Sequence, residues 1–390
     1  MTTAVLYFHQ AEYEQRLDKL YRLMAERDLD ACLISAPENI FYLSGLSHQG
    51  FFAYHLLIVP RNGRMALICR AMERVTVERL VVTPGRADFY GFADSDDLVL
   101  FTCNVLRQRG LAAARLAAEK GSLFLQPRIT EGITACLPQA TVSDCSGLVD
   151  SLRQIKSARE LDFTRQAAHV SMAMMQAARE TAVAGISERE VAAAVQRAMV
   201  LAGGTYPGFG PFIRATPTLS EEHRTWSDHK LQPGEALFVE LAGCSNHYHA
   251  PMGRLFYIGS VPPGTETMAQ VCLDAFNNVV SAIRPGVIAS QVYQAWQNVV
   301  DRAGLSYYRR HHCGYMTGIG FPPSWVGGSM VVGLRHDSDW ALQAGMVFHL
   351  MSWLMDTGQP GDYFVSDTAV VTEDGCQVLT ADSQELHIAS

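Results

Sequence analysis

The stretch LQPGEALFVELAGCSNHYHAPMGRLFYIG, residues 231–259, decides the fold of the second half of this chain. A Pro-Gly turn is followed by the apolar segment 236–241, and small and polar residues interrupt the pattern at 243–246. A second apolar segment then runs over 248–258. Two apolar segments separated by turn-forming residues are typical of a β-hairpin, so we predict a hairpin here.

One residue of this hairpin departs from the pattern. Glu240 lies inside the apolar run ALFVEL, where a carboxylate loses its water and needs either a partner or a function. An ordinary interpretation is a residue on an edge strand that faces solvent. The other interpretation is a reactive carboxylate in a cleft, and the rest of the chain favours it.

Composition limits the class of protein. The chain has 390 residues, 48% of them hydrophobic and 18% charged, which is enough for two globular domains. Acidic residues outnumber basic ones by 39 to 31 without any long basic run, so neither nucleic acid nor a membrane is predicted as a partner. The nine cysteines are scattered, which indicates neither a disulfide framework nor a zinc site. No signal-like or membrane-spanning pattern is present, and we predict a cytoplasmic protein.

Residues 1–150 have the pattern of a small α/β domain. Apolar residues at helical spacing alternate with short apolar runs of strand type, as in a parallel or mixed sheet. The helix and strand candidates lie at residues 10–27, 31–34, 56–59, 104–119, 122–125 and 129–136.

An internal repeat occupies residues 151–390. In each copy two amphipathic helices precede an apolar hairpin, which predicts one duplicated domain whose hairpins, at 236–258 and 346–372, line a central cleft. Gly234 of the first hairpin corresponds to Gly345 of the second, and Glu240 then corresponds to Met351. Three residues recur 101 positions later in the second copy: Gly185 as Gly286, Val191 as Val292 and Gly203 as Gly304.

The chain contains five segments that occur together in one known superfamily: LRQIKSARELDFTRQAA, PGEALFVEL, TGIGFPP, AGMVF and FVSDTAVVTEDG. They resemble the pita-bread fold of the methionine aminopeptidase, Xaa-Pro aminopeptidase and creatinase superfamily. The resemblance implies an α/β (α+β) protein with two domains. Residues 1–150 would form a small creatinase-like domain, and residues 151–390 a pita-bread catalytic domain of two pseudo-symmetric halves, each with two helices and a β-hairpin.

The metal ligands of that superfamily are not matched here. Its peptidases bind two metal ions with two Asp, one His and two Glu, whereas the matching positions of this chain are Glu240, Pro251, Thr317, Met351 and Ser366. Proline and methionine offer no ligand that a hard divalent ion uses. The resemblance therefore implies a member with no metal site and no cofactor.

The remaining motifs resemble a metal-free branch, closest to ectoine hydrolase. They are ELAGCSNHYHAPMGRLFYIG, GYMTGIGFPPSW and MVFHLM. Creatinase-like enzymes place a proton-transferring histidine eleven residues before the hairpin glycine, and relative to Gly234 that residue is His223. Creatinase itself uses a Glu where Gly253 stands, which argues against creatinase. The branch implies catalytic roles for Glu240 and His223.

The chemistry of a cyclic amidine suits these two residues. Ring opening needs a nucleophile at the central carbon, an acid for the departing nitrogen and negative charge beside the amidinium. Glu240 can attack directly or activate water, and His223 can donate the proton. By its own neighbours, all of them polar, His223 is equally well interpreted as a surface-loop histidine.

Other residues complete the predicted site. His349 is a third catalytic candidate, because the pseudo-symmetry directs it to the cleft opposite Glu240. A guanidinium is suited to bind a substrate carboxylate. The candidates are Arg214, Arg254, Arg309 and Arg310. The predicted substrate-binding residues are Phe51, Phe52, His55, Tyr248, His249, Arg254, His312, Tyr315, Trp325 and Trp353.

Two hypotheses of function follow from the sequence. The first is a metal-independent hydrolase that cleaves a C–N bond of a small cyclic amidine or guanidino acid, with ectoine and 5-hydroxyectoine as leading substrates and another creatinase-like amidinohydrolase activity as the alternative. The second is a pita-bread protein that binds a metabolite or peptide without catalysis. The resemblance also implies a homodimer, in which the aromatic residues near Phe51 contribute across the interface.

Overall fold

The computed structural model describes residues 7–327 and 331–389, and the chain divides into two units between Arg153 and Gln154. No helix within the described ranges combines the length and apolar character needed to cross a membrane.

The N-terminal unit is built on one mixed sheet. Its six strands lie in the order β4-β3-β2-β1-β5-β6, with β1 parallel to β5 and antiparallel to β2. Helices alternate with the strands, as predicted, except that β2 and β3 follow one another directly as an antiparallel pair. The elements are α1 (Gln10–Glu26), β1 (Ala31–Ile34), α2 (Pro37–Ser44), β2 (Leu56–Pro60), β3 (Met65–Arg70), α3 (Arg74–Val77), β4 (Ala87–Phe92), α4 (Leu98–Gln108), β5 (Arg115–Ala118), α5 (Pro127–Cys136), β6 (Thr141–Asp144) and α6 (Leu148–Leu152).

Two element predictions in this unit are wrong. The candidate element at 104–119 is in fact the end of α4, a turn and the whole of β5. Gly110, at φ +73°, closes that turn in the left-handed region that glycine tolerates best. Residues 122–125 form turns and bends instead of a strand.

The C-terminal unit has the predicted duplicated architecture. Each copy contributes two long helices and then an antiparallel hairpin. The elements are α7 (Ala158–Thr181), α8 (Glu188–Leu201), β7 (Phe212–Ala215), β8 (Ala236–Ser245), β9 (Tyr248–Ile258), α9 (Thr265–Ala282), α10 (Ala289–Arg302), β10 (Gly314–Met316), β11 (Val347–Leu354), β12 (Tyr363–Val371), β13 (Cys376–Val378) and β14 (His387–Ala389).

The 101-residue repeat is visible in the structure. Helices α8 and α10 occupy matching positions, and each follows a glycine with positive φ, Gly185 at +86° and Gly286 at +86°. The matched Val191 and Val292 are both fully buried. The recurring residues therefore mark the turns and core contacts that each copy needs.

The strands of both copies join into one eight-stranded sheet with two different faces. Its main path runs β10-β11-β12-β9-β8-β7, and the two copies meet where β12 pairs with β9. Alternate residues of a strand point to opposite faces. On β8, Leu237, Val239 and Leu241 pack against α7 and α8, whereas Phe238 belongs to an aromatic cluster on the other face. Glu240 lies on that second face.

Candidate active site

A row of directly paired residues crosses the face of the sheet that the helices leave open. Phe212 of β7 pairs with Glu240 of β8, which pairs with Gly253 of β9; Gly253 pairs in turn with Ser366 of β12, and Ser366 with Met351 of β11. Opposed residues of an antiparallel pair share a face. The row therefore places Glu240 and Met351, the predicted symmetry mates, on one surface.

Glu240 is a desolvated carboxylate and not a residue of an edge strand. Strand β8 is paired on both sides, and the Glu240 side chain is only 13% exposed. Burial raises the pKa of Glu240 to about 7, opposed by the positive charge of Arg214 and assisted by the negative charge of Glu222. A carboxyl group that titrates near neutral pH is suited to accept or donate a proton in catalysis.

His349 lies beside this carboxylate as a neutral imidazole. Its Nδ1 is 3.9 Å from Oε1 of Glu240, and the ring is fully buried. Burial, with a smaller contribution from His312, lowers the pKa of His349 to about 3. His349 is therefore uncharged at neutral pH and cannot neutralise Glu240 as an imidazolium.

A chain of hydrogen bonds holds His349 in place. Trp325 Nε1 donates to the Tyr315 hydroxyl at 3.0 Å, and Tyr315 Oη lies 2.9 Å from Nδ1 of His349. Nε2 of His349 is 2.7 Å from Oγ of Ser366. Because the indole only donates, the Tyr315 oxygen accepts from Trp325, and its own proton goes either to His349 or into the site. Both arrangements keep the imidazole neutral and correctly oriented.

Aromatic rings border the carboxylate. The Phe212 and Trp325 ring centroids are 5.8 Å apart, and Phe209 lies 3.9 Å from Trp325. His312 meets Tyr315 edge-on at 5.4 Å, and burial lowers the pKa of His312 to about 3. Rings of this kind can hold a flat cation over their faces.

His223 lies at the exposed side of this cluster. Its ring meets Phe212 edge-on at 5.5 Å, and Phe212 is the direct strand partner of Glu240. The buried Arg214 holds the preceding loop, with Nε donating to the Leu219 carbonyl and Nη1 to the Glu222 carbonyl. His223 is thus exposed, as a surface-loop histidine would be, and it contacts the strand partner of Glu240.

Two predicted substrate-binding residues lie on the wrong face of the sheet. Tyr248 points toward the helices and donates to Glu160 at 2.7 Å. Arg254 also points away from Glu240 and is 2% exposed, ion-paired with the buried Asp367 at 3.0 Å. Both predictions are corrected by strand alternation, because these residues are an odd number of positions from Gly253.

His249 lies on the Glu240 face but is closed off from it. Its Nε2 accepts from the backbone N–H of Gly208 at 2.8 Å, and its Nδ1 lies 2.9 Å from the His247 carbonyl. The side chain is fully buried, and burial lowers its pKa to about 4. Both ring nitrogens of His249 are therefore engaged by the backbone near Phe209, and its role in substrate binding stays a prediction.

The three N-terminal residues of the predicted site differ in exposure. Phe51 is buried with its ring 5.8 Å from Phe124, and Phe52 is 76% exposed. His55 is buried, and burial lowers its pKa to about 4. A role for these residues in substrate binding stays a prediction.

Some residues of the site were not predicted as binding or catalytic. Phe209, Phe212 and Ser366 contact the ring system around Glu240, and of these only Ser366 was named above, as a position that matches a metal ligand of the superfamily. Trp353, a predicted substrate-binding residue, lies on β11 two residues beyond Met351, and its ring centroid is 5.3 Å from that of Phe238. The alternation in PFIRA was a usable signal, because it places Phe212 and Arg214 on one face.

The donor atoms at the site do not fit a pair of divalent metal ions. Of the five matching positions, Glu240 alone has a carboxylate, and the Thr317 hydroxyl is buried with no hydrogen-bond partner in the described ranges. Residues 7–327 and 331–389 contain no group of three or more His, Cys, Asp or Glu side chains arranged to hold a metal ion. Hard divalent ions need several oxygen or imidazole ligands.

Comparison with known proteins identifies the family. Residues 162–373 match the family model of metallopeptidase family M24, and residues 16–155 match that of the creatinase/prolidase N-terminal domain. The chain belongs to metallopeptidase family M24. The dipeptidase PepE of Mycobacterium ulcerans has the same fold as this M24 protein, with a TM-score of 0.82 at 23% identity over 98% of this chain and 99% of that one. The predicted two-domain pita-bread fold is confirmed.

Two relatives of this M24 protein match along its whole length. An uncharacterized hydrolase/peptidase of Sinorhizobium fredii is 28% identical over 98% of both chains. The ectoine hydrolase of Halomonas elongata is 26% identical over 100% of both chains. The protein is therefore a hydrolase of the M24 family.

Proposed function

We propose that this M24 protein is a metal-independent hydrolase that opens the ring of a small cyclic amidine, with ectoine or 5-hydroxyectoine as substrate. One observation carries the proposal: Glu240, with its pKa raised to about 7, is the single carboxylate in a row of residues that offers no metal ligand set. The full-length similarity to an ectoine hydrolase supports the same substrate class.

The proposed reaction uses the charge of Glu240 first. An amidinium placed against the Phe212 and Trp325 rings is attracted by the ionised carboxylate, and it is already electrophilic at its central carbon. Water then adds to that carbon while its proton passes to Glu240; direct attack by Glu240, followed by hydrolysis of the adduct, gives the same products.

Cleavage of the ring requires a second proton. The C–N bond breaks as the departing nitrogen is protonated, with His223 as the proposed acid. His349 stays neutral and donates or accepts one hydrogen bond at the site, in an orientation held by Tyr315 and Ser366. The net change is addition of one water to the amidine, which yields an amide and a free amine.

A panel of substrates tests this function against its alternatives. Purified protein incubated with ectoine is expected to form N-acetyl-diaminobutyrate, seen by mass spectrometry, and to leave creatine and Xaa-Pro dipeptides intact. Cleavage of the dipeptides instead would make the protein a peptidase like the relatives named for that activity. Tight binding of ectoine without turnover would favour a binding protein.

Metal removal should leave the activity unchanged. Because the site offers no set of metal ligands, ectoine opening is expected to survive dialysis against excess EDTA with less than about a twofold loss. Elemental analysis of the same sample should find no stoichiometric divalent metal. Loss of activity on chelation and its recovery with added Mn²⁺ or Zn²⁺ would contradict the proposal.

Loss of the proposed acid should be costly. His223→Ala is expected to lower kcat by about 10²- to 10⁴-fold, the usual contribution of a positioned general acid. His229→Ala is a matched control, because His229 lies in the same segment but pairs with Glu235 at 2.8 Å. Equal kcat values for the two variants would remove His223 from the mechanism.

The homodimer and the cytoplasmic location inferred from the sequence stay predictions.

A further inference from the structure

A cavity of about 520 Å³ lies in the C-terminal unit, near the carboxylate row but not lined by Glu240. Its volume is in the range of ligand pockets. Trp353 and Tyr308 contribute aromatic surface, and Arg310 and Glu222 contribute opposite charges. The reaction proposed above assigns no role to this cavity.

Contacts connect this cavity to Glu240. Trp353 lies on β11 two residues beyond Met351, and its ring is 5.3 Å from that of Phe238. Phe238 precedes Glu240 by two residues and faces the same side of β8. Glu222 belongs to both places, because it lines the cavity and its charge affects the titration of Glu240. Glu222 is therefore the residue shared by the cavity and the surroundings of Glu240.

Arg310 forms only a long, one-oxygen contact with its acidic partner, Glu222. It lies over the Trp353 ring, 4.6 Å from its centroid, and its side chain is 20% exposed. Both of its contacts with Glu222 go to the single oxygen Oε1, at 3.3 and 3.4 Å. Bidentate arginine–carboxylate pairs use two oxygens at about 2.7–2.9 Å. The Glu222 side chain is 47% exposed, so it can move aside.

The other arginines considered for a substrate carboxylate are held more firmly by the protein, although the buried Nη2 of Arg214 has no hydrogen-bond partner among the described residues. Arg254 is buried in its ion pair with Asp367 on the far face. Arg214 donates to two loop carbonyls and stacks on Phe238, 3.9 Å from its centroid. Arg309 contacts Asp301 at 2.9 Å and is 49% exposed. Arg310 is the one of the four that combines a loosely held fork with an aromatic platform in the cavity.

The charges around the cavity indicate what kind of molecule fits. Arg309 and Arg310 are accompanied by three acids, Glu222, Asp356 and Asp362. The lining thus carries two positive and three negative side chains, so it offers a partner for each sign of charge. A zwitterion, with its carboxylate at Arg310 and its cationic part directed to Glu240, satisfies both.

We propose that Arg310, supported by Trp353, binds the carboxylate of a zwitterionic substrate and so determines which cyclic amidines the enzyme opens. This inference rests on the proposed amidine hydrolase function. Because the guanidinium contacts the substrate and not the reacting bond, Arg310 is a specificity residue. Its effect should appear in KM and in the preference between substrates.

The test compares ectoine with 2-methyl-1,4,5,6-tetrahydropyrimidine, which has the same ring without the carboxylate. The wild-type kcat/KM should favour ectoine by about a hundredfold, because a site built for a polar group discriminates strongly against its absence. Arg310→Ala and Arg310→Gln should reduce this ratio to near one, chiefly through the KM for ectoine. Arg310→Lys should retain part of it, since an ammonium binds a carboxylate without the matching fork.

Arg309→Ala is the matched control and should retain the wild-type ratio. An Arg310→Ala protein that loses activity equally on both compounds, or an Arg309→Ala protein that loses the ratio, would overturn the assignment. If the wild type opens neither ring, the proposed function is wrong, and calorimetric titration with ectoine decides the role of Arg310. Binding lost only in the Arg310 variants supports that role, and binding that is absent or unchanged overturns it.

Discussion

The Glu240→Gln variant is expected to lose amidine-opening activity by about 10⁴- to 10⁶-fold, the range seen when a nucleophile or essential base is removed from an enzyme. Glutamine keeps the size and one carbonyl oxygen of the side chain but can neither take a proton from water nor attract the amidinium. The measurement is kcat on ectoine with enough enzyme to detect the residual rate.

The same substitution should stabilise the protein at alkaline pH. Burial raises the pKa of Glu240 to about 7, above the value of about 4.3 expected for an unfolded glutamate. Between these two values the folded chain binds more protons than the unfolded chain, so wild-type stability falls as pH rises through this window. At pH 8 the full penalty is present, on the order of 3 kcal/mol, and glutamine does not have it.

Urea unfolding at pH 4 and at pH 8 measures this effect. The midpoint for Glu240→Gln should exceed that of the wild type at pH 8 and approach it at pH 4. Glu235→Gln is the control for loss of a carboxylate, since Glu235 precedes the same hairpin and pairs with His229. A Glu240→Gln protein as active as the wild type would reduce Glu240 to a strand residue and end the hydrolase proposal.

The Arg254→Met variant should be destabilised by about 3–5 kcal/mol, the cost of leaving one buried charge without its partner. Arg254 and Asp367 are 2% and 0% exposed and lie 3.0 Å apart. Nη1 of Arg254 also donates to the carbonyls of Gly253 and Ser366, one on β9 and one on β12. Loss of the guanidinium therefore removes the ion pair and both backbone contacts.

Denaturant midpoints of purified variants measure this cost. Removing both charges, in Arg254→Met combined with Asp367→Asn, should recover part of the lost stability, because an amide is cheaper to bury than an unpaired carboxylate. Arg179→Met is a useful comparison, since its ion pair with Asp382 is closer to the surface. A loss below about 1 kcal/mol for Arg254→Met would show that the pair contributes little.

The first hairpin was predictable because its signals are local. Pro233 and Gly234 start it, and alternating apolar residues continue it, so its strands are observed at Ala236–Ser245 and Tyr248–Ile258. The second copy was predictable because the same local signals recur in it, with three residues repeated 101 positions later. Glu240 stood out because a carboxylate in an apolar run needs a physical explanation.

The side to which β9 residues point could not be predicted in the same way. The hairpin turns through two residues, Asn246 at φ +50° and His247 at φ +68°. Tight turns of this type favour Asn-Gly or Asp-Gly, and histidine is no signal for one. Because the sequence did not show how the hairpin turns, the predicted site combined Tyr248 and Arg254 of one face with His249 of the other.

The two copies of the duplicated domain meet along a seam only two residue pairs long, Val365 with Arg254 and Ser366 with Gly253. Across this short ladder the His349 ring of one copy comes within 3.9 Å of the Glu240 carboxylate of the other. A side chain larger than hydrogen at Gly253 would collide with Phe364. A redesign of the site that places a side chain at position 253 therefore needs a smaller residue at position 364.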